Sequence, residues 1–552
     1  MTRSLYGVLT LLLSLVVSVV WAQEPSVKTG PAQQAARQSL QHIEQWNDQL
    51  RAVIVVNPAA MEQAELLDAE RAAGEVHGPL HGVPVLLKDN IETRDMPTTA
   101  GSLALAENRT GRDAFLTEQL RASGLLIIGK ANLSEWANFR SERSSSGWSG
   151  VAGQARNPHD LLRSPCGSSS GSAIAVAAGM VPLAVGTETN GSIICPAAVN
   201  GIVGIKPTVG LVSRRGIVPI AHSQDTAGPM ATNVRDAAFL LNAMTVADPL
   251  DAASPKGKLY FERDYSTALR ANGLRGKRVG VVRSLAGFHE GVDEQFDQAI
   301  ADLSAAGAEV VDGLAFPDYP DGFGQASYDV LLYEFKHDLN EYLRTLPGPQ
   351  GQLTLEKLIE FNQQHAGQEM EWFQQEIFIK AQATTGLDSA TYLEALARVQ
   401  SFSRESIDSL LQEHDLDLLV SPSNTPAWSI DLVVGDHFLG GSSSFPARAG
   451  YPHITVPMGF VHGLPVGLSF YGTAFSELVL IEAAFSYEQA SQRAVPPTGY
   501  GDWKPAVSEN AGDQNLPLSG VLGEALAIPS MVGQGARCEV AEGEEGEGST
   551  CQ

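Results

Sequence analysis

Residues 157 to 185 read NPHDLLRSPCGSSSGSAIAVAAGMVPLAV, and this stretch decides the fold class. Serine- and glycine-rich sequence taken alone is typical of a flexible linker. Here the serines lead directly into Ala173 to Ala178, which has the pattern of a buried helix ended by Gly179, and then into the strand-like Val181 to Val185. Linkers are not followed at once by a buried helix and strand, so the pattern favours a folded α/β unit over the linker alternative.

Strand and helix patterns alternate on both sides of this unit. Apolar residues at helical spacing predict helices within residues 31 to 76 and over residues 476 to 490. Short apolar runs predict further strands at Ala52 to Val56, Val83 to Leu87, Leu125 to Ile128, Leu418 to Val420, His453 to Val456 and Val466 to Tyr471. Such alternation indicates an α/β protein built on a central sheet.

The segment from residue 318 to residue 415 is almost wholly helical in pattern. It carries one apolar stripe, formed by Tyr392, Leu393, Leu396 and Val399. No linker isolates this segment, so we interpret it as an insertion that covers the sheet within one domain spanning residues 23 to 500. Residues 501 to 552 are loop-like and end in a run rich in glutamate and glycine, which is typical of a solvated, disordered tail.

Composition excludes several classes of protein. The chain has 552 residues, with 37 Lys and Arg against 63 Asp and Glu, a net charge of −26. Nucleic-acid binding requires clustered cations, so a nucleic acid is not an expected partner. A content of 43% apolar residues is that of a packed globular protein of one to three domains. The oligomeric state is left open.

The N-terminus has the features of a secretory signal peptide. Arg3 precedes an apolar run over residues 6 to 20, and Ala22 provides a small residue for cleavage. An uncleaved membrane anchor is the alternative, but the run is shorter than the roughly 20 residues of a spanning helix. We therefore predict a signal peptide at residues 1 to 22, a secreted or periplasmic protein, and no stable membrane insertion after cleavage.

Four cysteines, Cys166, Cys195, Cys538 and Cys551, would enter an oxidising compartment. Three complete pairings are possible, and the sequence does not choose among them. Our hypothesis is that Cys538 and Cys551 close a small C-terminal loop, while Cys166 and Cys195 remain buried thiols.

Two further segments carry candidate chemistry. In GTETNGSIICP, residues 186 to 196, Ser192 follows a turn that can direct successive backbone N–H groups to one point, as an oxyanion hole requires, although a purely structural turn is the alternative. In GPLHGVPVLLKDN, residues 78 to 90, Lys88 ends an apolar strand. Such a lysine is either paired with Asp89 or another carboxylate, or desolvated and neutral enough to act as a base.

A third match is judged accidental. Gly167 to Gly171 fits G-x-S-x-G with Ser169 at its centre, the nucleophile motif of α/β-hydrolases. That motif requires a preceding strand, but residues 156 to 165 carry two prolines and several charges.

Together these segments resemble the amidase signature family over residues 78 to 472. The motifs that carry the resemblance are HGVPVLLKDNI (81–91), NPHDLLRSPCGSSSGSA (157–173), GTETNGSIICPAAVNGIVGIKPTVGLVSRRGIVP (186–219), SQDTAGPM (223–230), AGYPHITVPMG (449–459) and GLPVGLSFYG (463–472). The resemblance implies a single large domain with a central mixed, twisted β-sheet covered by helices on both faces. It also implies amide hydrolysis without a metal or cofactor.

The family's catalytic residues carry over to three positions. Its base matches Lys88, its bridging serine in a cis peptide matches Ser168, and its nucleophile matches Ser192. The implied oxyanion hole consists of the backbone N–H groups of Thr189, Asn190, Gly191 and Ser192. This chain departs from the family in two places, because Asn190 stands where Gly is common and Cys166 replaces the first glycine before the serines.

The surrounding sequence is most similar to the peptide amidase branch, which removes the C-terminal amide of peptides. Alternatives are an amidase of small aryl or acyl amides and the amidotransferase subunit that the family also supplies. A further alternative is an inactive binding or interaction protein that keeps the fold. The acidic charge and the signal peptide disfavour the amidotransferase, and the presence of all three triad residues disfavours the inactive protein.

Overall fold

One mixed sheet of 11 strands forms the centre of the molecule in the computed structural model, which describes residues 29–255 and 258–507. The strands are β1 (Val53–Val56), β2 (Pro84–Lys88), β3 (Leu126–Ala131), β4 (Leu183–Glu188), β5 (Val203–Lys206), β6 (Thr226–Ala231), β7 (Arg278–Val282), β8 (Glu309–Leu314), β9 (Leu418–Pro422), β10 (His453–Val461) and β11 (Leu464–Tyr471). Their order across the sheet is β1-β3-β2-β4-β6-β5-β10-β11-β9-β7-β8. The predicted signal peptide, Cys538, Cys551 and the acidic end of the chain lie outside the described residues.

The pairing is parallel at some strands and antiparallel at others. Strand β2 runs parallel to β3 and β4, whereas β10 runs antiparallel to β5 and β11. The α-helices are α1 (Pro31–Leu50), α2 (Ala60–Ala72), α3 (Phe115–Ala122), α4 (Ser170–Ala177), α5 (Ile194–Val199), α6 (Val234–Met244), α7 (Glu290–Ala305), α8 (Phe323–Arg344), α9 (Leu355–Gln364), α10 (Ala366–Glu369), α11 (Glu376–Gln382), α12 (Ala390–Glu413), α13 (Ser444–Ala449) and α14 (Glu477–Ser491).

Helices cover both faces of the sheet. Successive strand residues point to opposite faces, so Val85 and Leu87 pack into one core cluster while Leu86 packs into the other. The first cluster contains residues of α3, α6, α7 and α14, and the second contains residues of α1 and α4. The predicted α/β class, with one mixed sheet between helices, is confirmed.

The predicted insertion region, residues 318 to 415, contains helices α8 to α12. Its predicted stripe is only partly buried: Tyr392 and Val399 are buried, whereas Leu393 is 51% exposed. Leu393 therefore does not belong to the stripe. The reason is that α12 lies on the outside of the domain and buries a narrower face than its apolar content suggests.

The packed chain extends beyond the predicted domain boundary at residue 500. Trp503 Nε1 donates to the carbonyl of Ala177 at 2.8 Å, and the buried Ala506 and Val507 donate backbone N–H groups to Asp236 at 2.7 and 3.0 Å. Side chain to backbone contacts of this kind leave no periodic sequence signal. Within residues 29–255 and 258–507, no helix combines the length and apolar character that crossing a membrane requires.

Candidate active site

Lys88 is the last residue of β2 and is completely buried. Strand β4 lies beside β2 in parallel, so both strands end at the same edge of the sheet and bring Lys88 next to Thr187. Lys88 Nζ lies 2.8 Å from Ser168 Oγ, 2.8 Å from Thr187 Oγ1 and 3.1 Å from the Thr187 carbonyl oxygen. All three partners are neutral oxygens.

The sequence alternative in which Asp89 pairs with Lys88 is wrong. Asp89 points to the neighbouring strand β3, where its Oδ1 lies 2.8 Å from Lys130 Nζ. Both of these side chains are fully buried. Thr99 donates its hydroxyl and its backbone N–H to the other oxygen of Asp89. The carboxylate next to Lys88 in the chain is thus engaged elsewhere.

Burial without a directly bonded carboxylate changes the acidity of Lys88. Desolvation lowers the pKa of Lys88 to about 7, although the charges of Asp225 and Glu188 act in the opposite direction. A substantial fraction of the Lys88 side chain is therefore a neutral amine near pH 7.

Ser168 lies in the loop that enters α4, and the Gly167–Ser168 peptide bond is cis. The family resemblance implies this conformation at this serine. Ser168 is fully buried, and its carbonyl accepts the backbone N–H of Ser134 at 3.1 Å. The neighbouring Ser169 is also buried and exchanges two hydrogen bonds with the backbone of Thr187, at 3.0 and 3.1 Å. No strand precedes Ser169 in this fully described stretch, so the G-x-S-x-G match is accidental, as predicted.

Ser192 lies in the turn between β4 and α5 and retains 8% exposure. The turn needs glycine at position 191, where φ is +83° and an added Cβ would lie 2.9 Å from Ser443 Oγ. Glu188 accepts the backbone N–H groups of Ile193 and Ile194 at 2.8 and 3.0 Å. In the described part of the chain, the N–H groups of residues 190 to 192 donate to no protein acceptor, which leaves them available to a bound oxyanion.

Side chains from distant segments hold this turn in place. Asn190 accepts the Ser443 hydroxyl at 2.7 Å and donates to Ser444 Oγ at 3.3 Å, so its amide is engaged at the start of α13. Thr189 donates its hydroxyl to Asp225 at 2.5 Å. Burial raises the pKa of Asp225 to about 6. Sequence patterns assign no role to Asp225 or Ser443, although Asp225 lies in the motif SQDTAGPM (223–230). Ser443 lies in none of the motifs, so the sequence gives no signal for it.

The structure brings Ser168 and Ser192 together through the backbone. The N–H of Ser169 donates to the carbonyl of Ser192 at 3.1 Å. Among the hydrogen bonds of residues 29–255 and 258–507, none joins the two serine hydroxyls. The arrangement therefore contains the lysine–serine contact of the expected triad and the adjacency of the two serines.

The prediction that Cys166 and Cys195 are free thiols is wrong. They form a disulfide, with Cα atoms 6.0 Å apart and a separation of 29 positions along the chain. The strand β4 and the turn that follows it return the chain to the loop before α4, which places the two residues within bridging distance. Sequence separation alone cannot reveal this approach. The proposed Cys538–Cys551 pair lies outside the described residues.

A cavity of about 680 Å³ lies beside the turn. Thr187, Thr189 and Asp225 form one part of its wall, and Asp338 and Tyr342 of α8 form another. This volume is within the range of small-molecule sites. The helical region from residue 318 to residue 415 thus contributes to the wall of a cavity that the end of β4 and Thr189 also line, whereas Lys88, Ser168 and Ser192 do not line it.

Among the residues that the structure describes, two groups of histidine and carboxylate side chains have donor atoms close enough to hold a metal ion. One consists of Glu70, His77 and His81, and the other of His222, Glu334 and Asp338. Neither group includes Lys88 or the two serines. In the second group, His222 Nδ1 lies 2.8 Å from Asp338, so these side chains already bind each other.

The chain is similar to known proteins over most of its length. The amidase family model matches residues 34 to 481. Native peptide amidase from Stenotrophomonas maltophilia is 47% identical with a TM-score of 0.80, over 84% of this chain and 95% of that one. A probable amidase of Arabidopsis thaliana is 42% identical over 83% of this chain and 86% of the relative. A glutamyl-tRNA(Gln) amidotransferase subunit of Symbiobacterium thermophilum is 36% identical over 87% of this chain and 96% of the relative.

Proposed function

The chain belongs to the amidase family of amide-hydrolysing enzymes, and on that premise we propose that it is a secreted amidase that removes the C-terminal amide of peptides. Ammonia and a peptide carboxylate are the products. The observation that carries the proposal is the buried Lys88, whose Nζ lies 2.8 Å from Ser168 Oγ and bonds to no carboxylate of the described part of the chain. A lysine held in this way is a base near neutral pH.

The hydrogen-bond partners of Lys88 support a neutral amine whose lone pair is directed at Ser168. A neutral amine has two N–H groups, which can donate to the carbonyl oxygen and the Oγ1 of Thr187. The lone pair then faces Ser168 and accepts its hydroxyl proton. Ser168, as its proton leaves, takes the proton of Ser192, and Ser192 Oγ attacks the carbonyl carbon of the amide.

The oxyanion formed by this attack is stabilised by the backbone N–H groups around Ser192. Removing one such donor costs roughly 10²- to 10³-fold in turnover in comparable sites. Collapse of the tetrahedral intermediate breaks the C–N bond, and the relay returns a proton to the departing nitrogen. Water then attacks the acyl-enzyme by the same route and regenerates Ser192.

Three observations support a peptide amide as substrate. The chain is 47% identical to a solved peptide amidase over most of both proteins. The cavity next to the turn is large enough for a short peptide. Its wall also carries polar side chains, including Asp225 and Asp338, that suit the peptide backbone.

Secretion has two independent supports. The N-terminal segment has the pattern of a signal peptide, and the disulfide between Cys166 and Cys195 is of a kind that persists in oxidising compartments. The net charge of −26 disfavours tRNA as a partner, although an amidotransferase subunit is among the relatives.

The test is ammonia release from a short peptide with a C-terminal amide, with an acyl anilide assayed in parallel. Ser192→Ala should abolish both activities. Ser172→Ala is the matched control. Ser172 lies in α4, the helix after Ser168, and its buried hydroxyl donates to the carbonyl of Val185. This variant should keep near wild-type turnover. Cleavage of the anilide alone would move the substrate to small amides. Wild-type turnover by Ser192→Ala would refute the mechanism.

A further inference from the structure

The disulfide joins the two chain segments that carry the candidate catalytic serines. Cys166 stands two positions before Ser168, and Cys195 stands three positions after Ser192. Each cysteine is also held to its own segment by hydrogen bonds. Ser170 Oγ donates to the Cys166 carbonyl at 2.6 Å, and the N–H of Cys195 donates to the Gly191 carbonyl at 2.8 Å. A displacement of either sulfur is therefore transmitted to the neighbouring serine.

Hydrogen bonds also connect these two segments, and two of them join Ser169 to the backbone of Thr187 at 3.0 and 3.1 Å. The N–H of Ser169 donates to the Ser192 carbonyl at 3.1 Å, and Asn200 Nδ2 donates to the Pro165 carbonyl at 3.0 Å. As a covalent bond, the disulfide is stronger than any of these hydrogen bonds. Along the chain it lies between the Ser169–Ser192 hydrogen bond and the Pro165–Asn200 hydrogen bond.

The backbone at Cys166 points to a role for its side chain. Its φ is +55°, in the left-handed region that favours glycine. The bond to Cys195 explains why a cysteine occupies position 166 despite this unfavourable φ.

The disulfide lies in a small apolar cluster with Val199, Ala427, Trp428 and Leu464. Trp428 is itself fixed, because its Nε1 donates to Asp436 at 2.9 Å. Cys166 and Cys195 retain 6% and 8% exposure, so a small reductant has limited access to the sulfurs.

We propose that the Cys166–Cys195 disulfide positions Ser168 against Ser192, so that amide hydrolysis requires the oxidised form and is lost when a dithiol reduces the bond. This inference rests on the proposed function. In the reduction, a dithiol of the dithiothreitol type transfers two electrons and two protons. Its own sulfurs form a disulfide, and Cys166 and Cys195 become thiols. Reoxidation by an oxidised dithiol reverses the step.

The experiment compares oxidised and reduced full-length protein, with the thiols counted by alkylation and mass spectrometry. Reduction should lower kcat on the peptide amide by about 10²-fold, the scale expected for a displacement of about 1 Å between reacting groups, and leave KM within about threefold. Reoxidation should restore kcat. A purely structural disulfide would instead lower the melting temperature without this split between kcat and KM.

Two variants serve as controls. Cys166→Gly/Cys195→Ala, in which glycine suits the φ of position 166, should show the low kcat and not respond to the reductant. Cys538→Ser/Cys551→Ser retains the proposed bond and should respond like the wild type. Hydrogen exchange gives a readout independent of substrate: amides of residues 166–170 and 189–195 should exchange faster after reduction, while those of the central sheet stay protected.

Different results overturn different claims. If the oxidised wild type hydrolyses none of the amides, the proposed function is contradicted. Hydrogen exchange then still decides whether the disulfide positions the two segments. Full kcat with both thiols alkylated, or unchanged exchange in the two segments, overturns the positioning role. So does global unfolding on reduction, because the bond would then support the whole domain rather than the site.

Discussion

Lys88 and Lys130 are buried on neighbouring parallel strands, and they differ in what they contact. In the register of β2 and β3, Leu87 lies opposite Lys130 and Lys88 lies opposite Ala131. Both side chains are fully buried. Lys130 forms an ion pair of 2.8 Å with Asp89, whereas the hydrogen-bond partners of Lys88 Nζ within residues 29–255 and 258–507 are oxygens of Ser168 and Thr187.

The comparison separates a structural lysine from a chemical one. Desolvation lowers the pKa of both lysines. At Lys130 a bonded carboxylate stabilises the charged form, so that lysine serves the fold. At Lys88 the charges that oppose desolvation, those of Asp225 and Glu188, are not hydrogen-bonded to it, and its pKa falls to about 7. Burial without a bonded counter-charge brings the pKa of Lys88 close to neutral, and the Ser168 hydroxyl 2.8 Å away provides a proton that the neutral amine can accept.

The largest expected effect is the loss of activity in Lys88→Met. Removing the base should lower kcat/KM by about 10⁴-fold, because the members of a catalytic unit act together and the loss of one disables the others. The free energy of unfolding should stay equal or rise, since a desolvated amine is replaced by an apolar side chain. Steady-state kinetics and urea unfolding measure the two quantities. Turnover within tenfold of the wild type would remove Lys88 from the mechanism.

Lys130→Met should show the opposite pattern. The substitution leaves Asp89 buried without its counter-charge, which should lower the free energy of unfolding by about 3 to 5 kcal/mol. The fraction that remains folded should retain wild-type kcat. Urea unfolding and active-site titration of the folded fraction provide the check, and a stable but inactive variant would show that the two lysines had been assigned the wrong roles.

The pH dependence of catalysis tests Lys88 directly. The folded pKa of about 7 lies below the ordinary value of 10.5, and the neutral amine is the active form. Activity should therefore be full above pH 8 and fall about tenfold for each pH unit below 7. A profile of kcat/KM from pH 5 to 9 measures this. A flat profile down to pH 5 would exclude a lysine base.

The smallest expected effect is a shift of the pH profile in Asp225→Asn. The negative charge of Asp225 raises the pKa of Lys88, so its removal should move the acid limb of the profile to lower pH, by less than about one unit. The introduced amide keeps an acceptor oxygen for the Thr189 hydroxyl or for the backbone N–H groups of Ile220 and Ala221, which donate to Asp225. A limb that moves to higher pH would mean that Asp225 acts on a group other than Lys88.

The sequence predicts β1 to β4 and β9 to β11 at least in part, but it does not predict β5 and β6 in the middle of the sheet or β7 and β8 at one end. Apolar runs with glycine or proline at their ends predict β2, β3, β10 and β11 because these strands are buried on both faces. Strand β8 was missed, since Glu309 and Asp312 are exposed at its edge position and interrupt the apolar pattern. Its neighbour β7 was missed as well, and it is short and begins with the partly buried Arg278.

The sequence by itself determined the family, the α/β class and the identities of Lys88, Ser168 and Ser192 as candidate residues. These inferences depend on residues close together in the chain, where backbone conformation and side-chain type leave a local pattern. Only the tertiary structure decided that Asp89 pairs with Lys130, that Cys166 bonds to Cys195 and that Ser443 holds Asn190. Each of these contacts joins segments brought together by strand register and by the turns between elements, and distance in space is not encoded in distance along the chain.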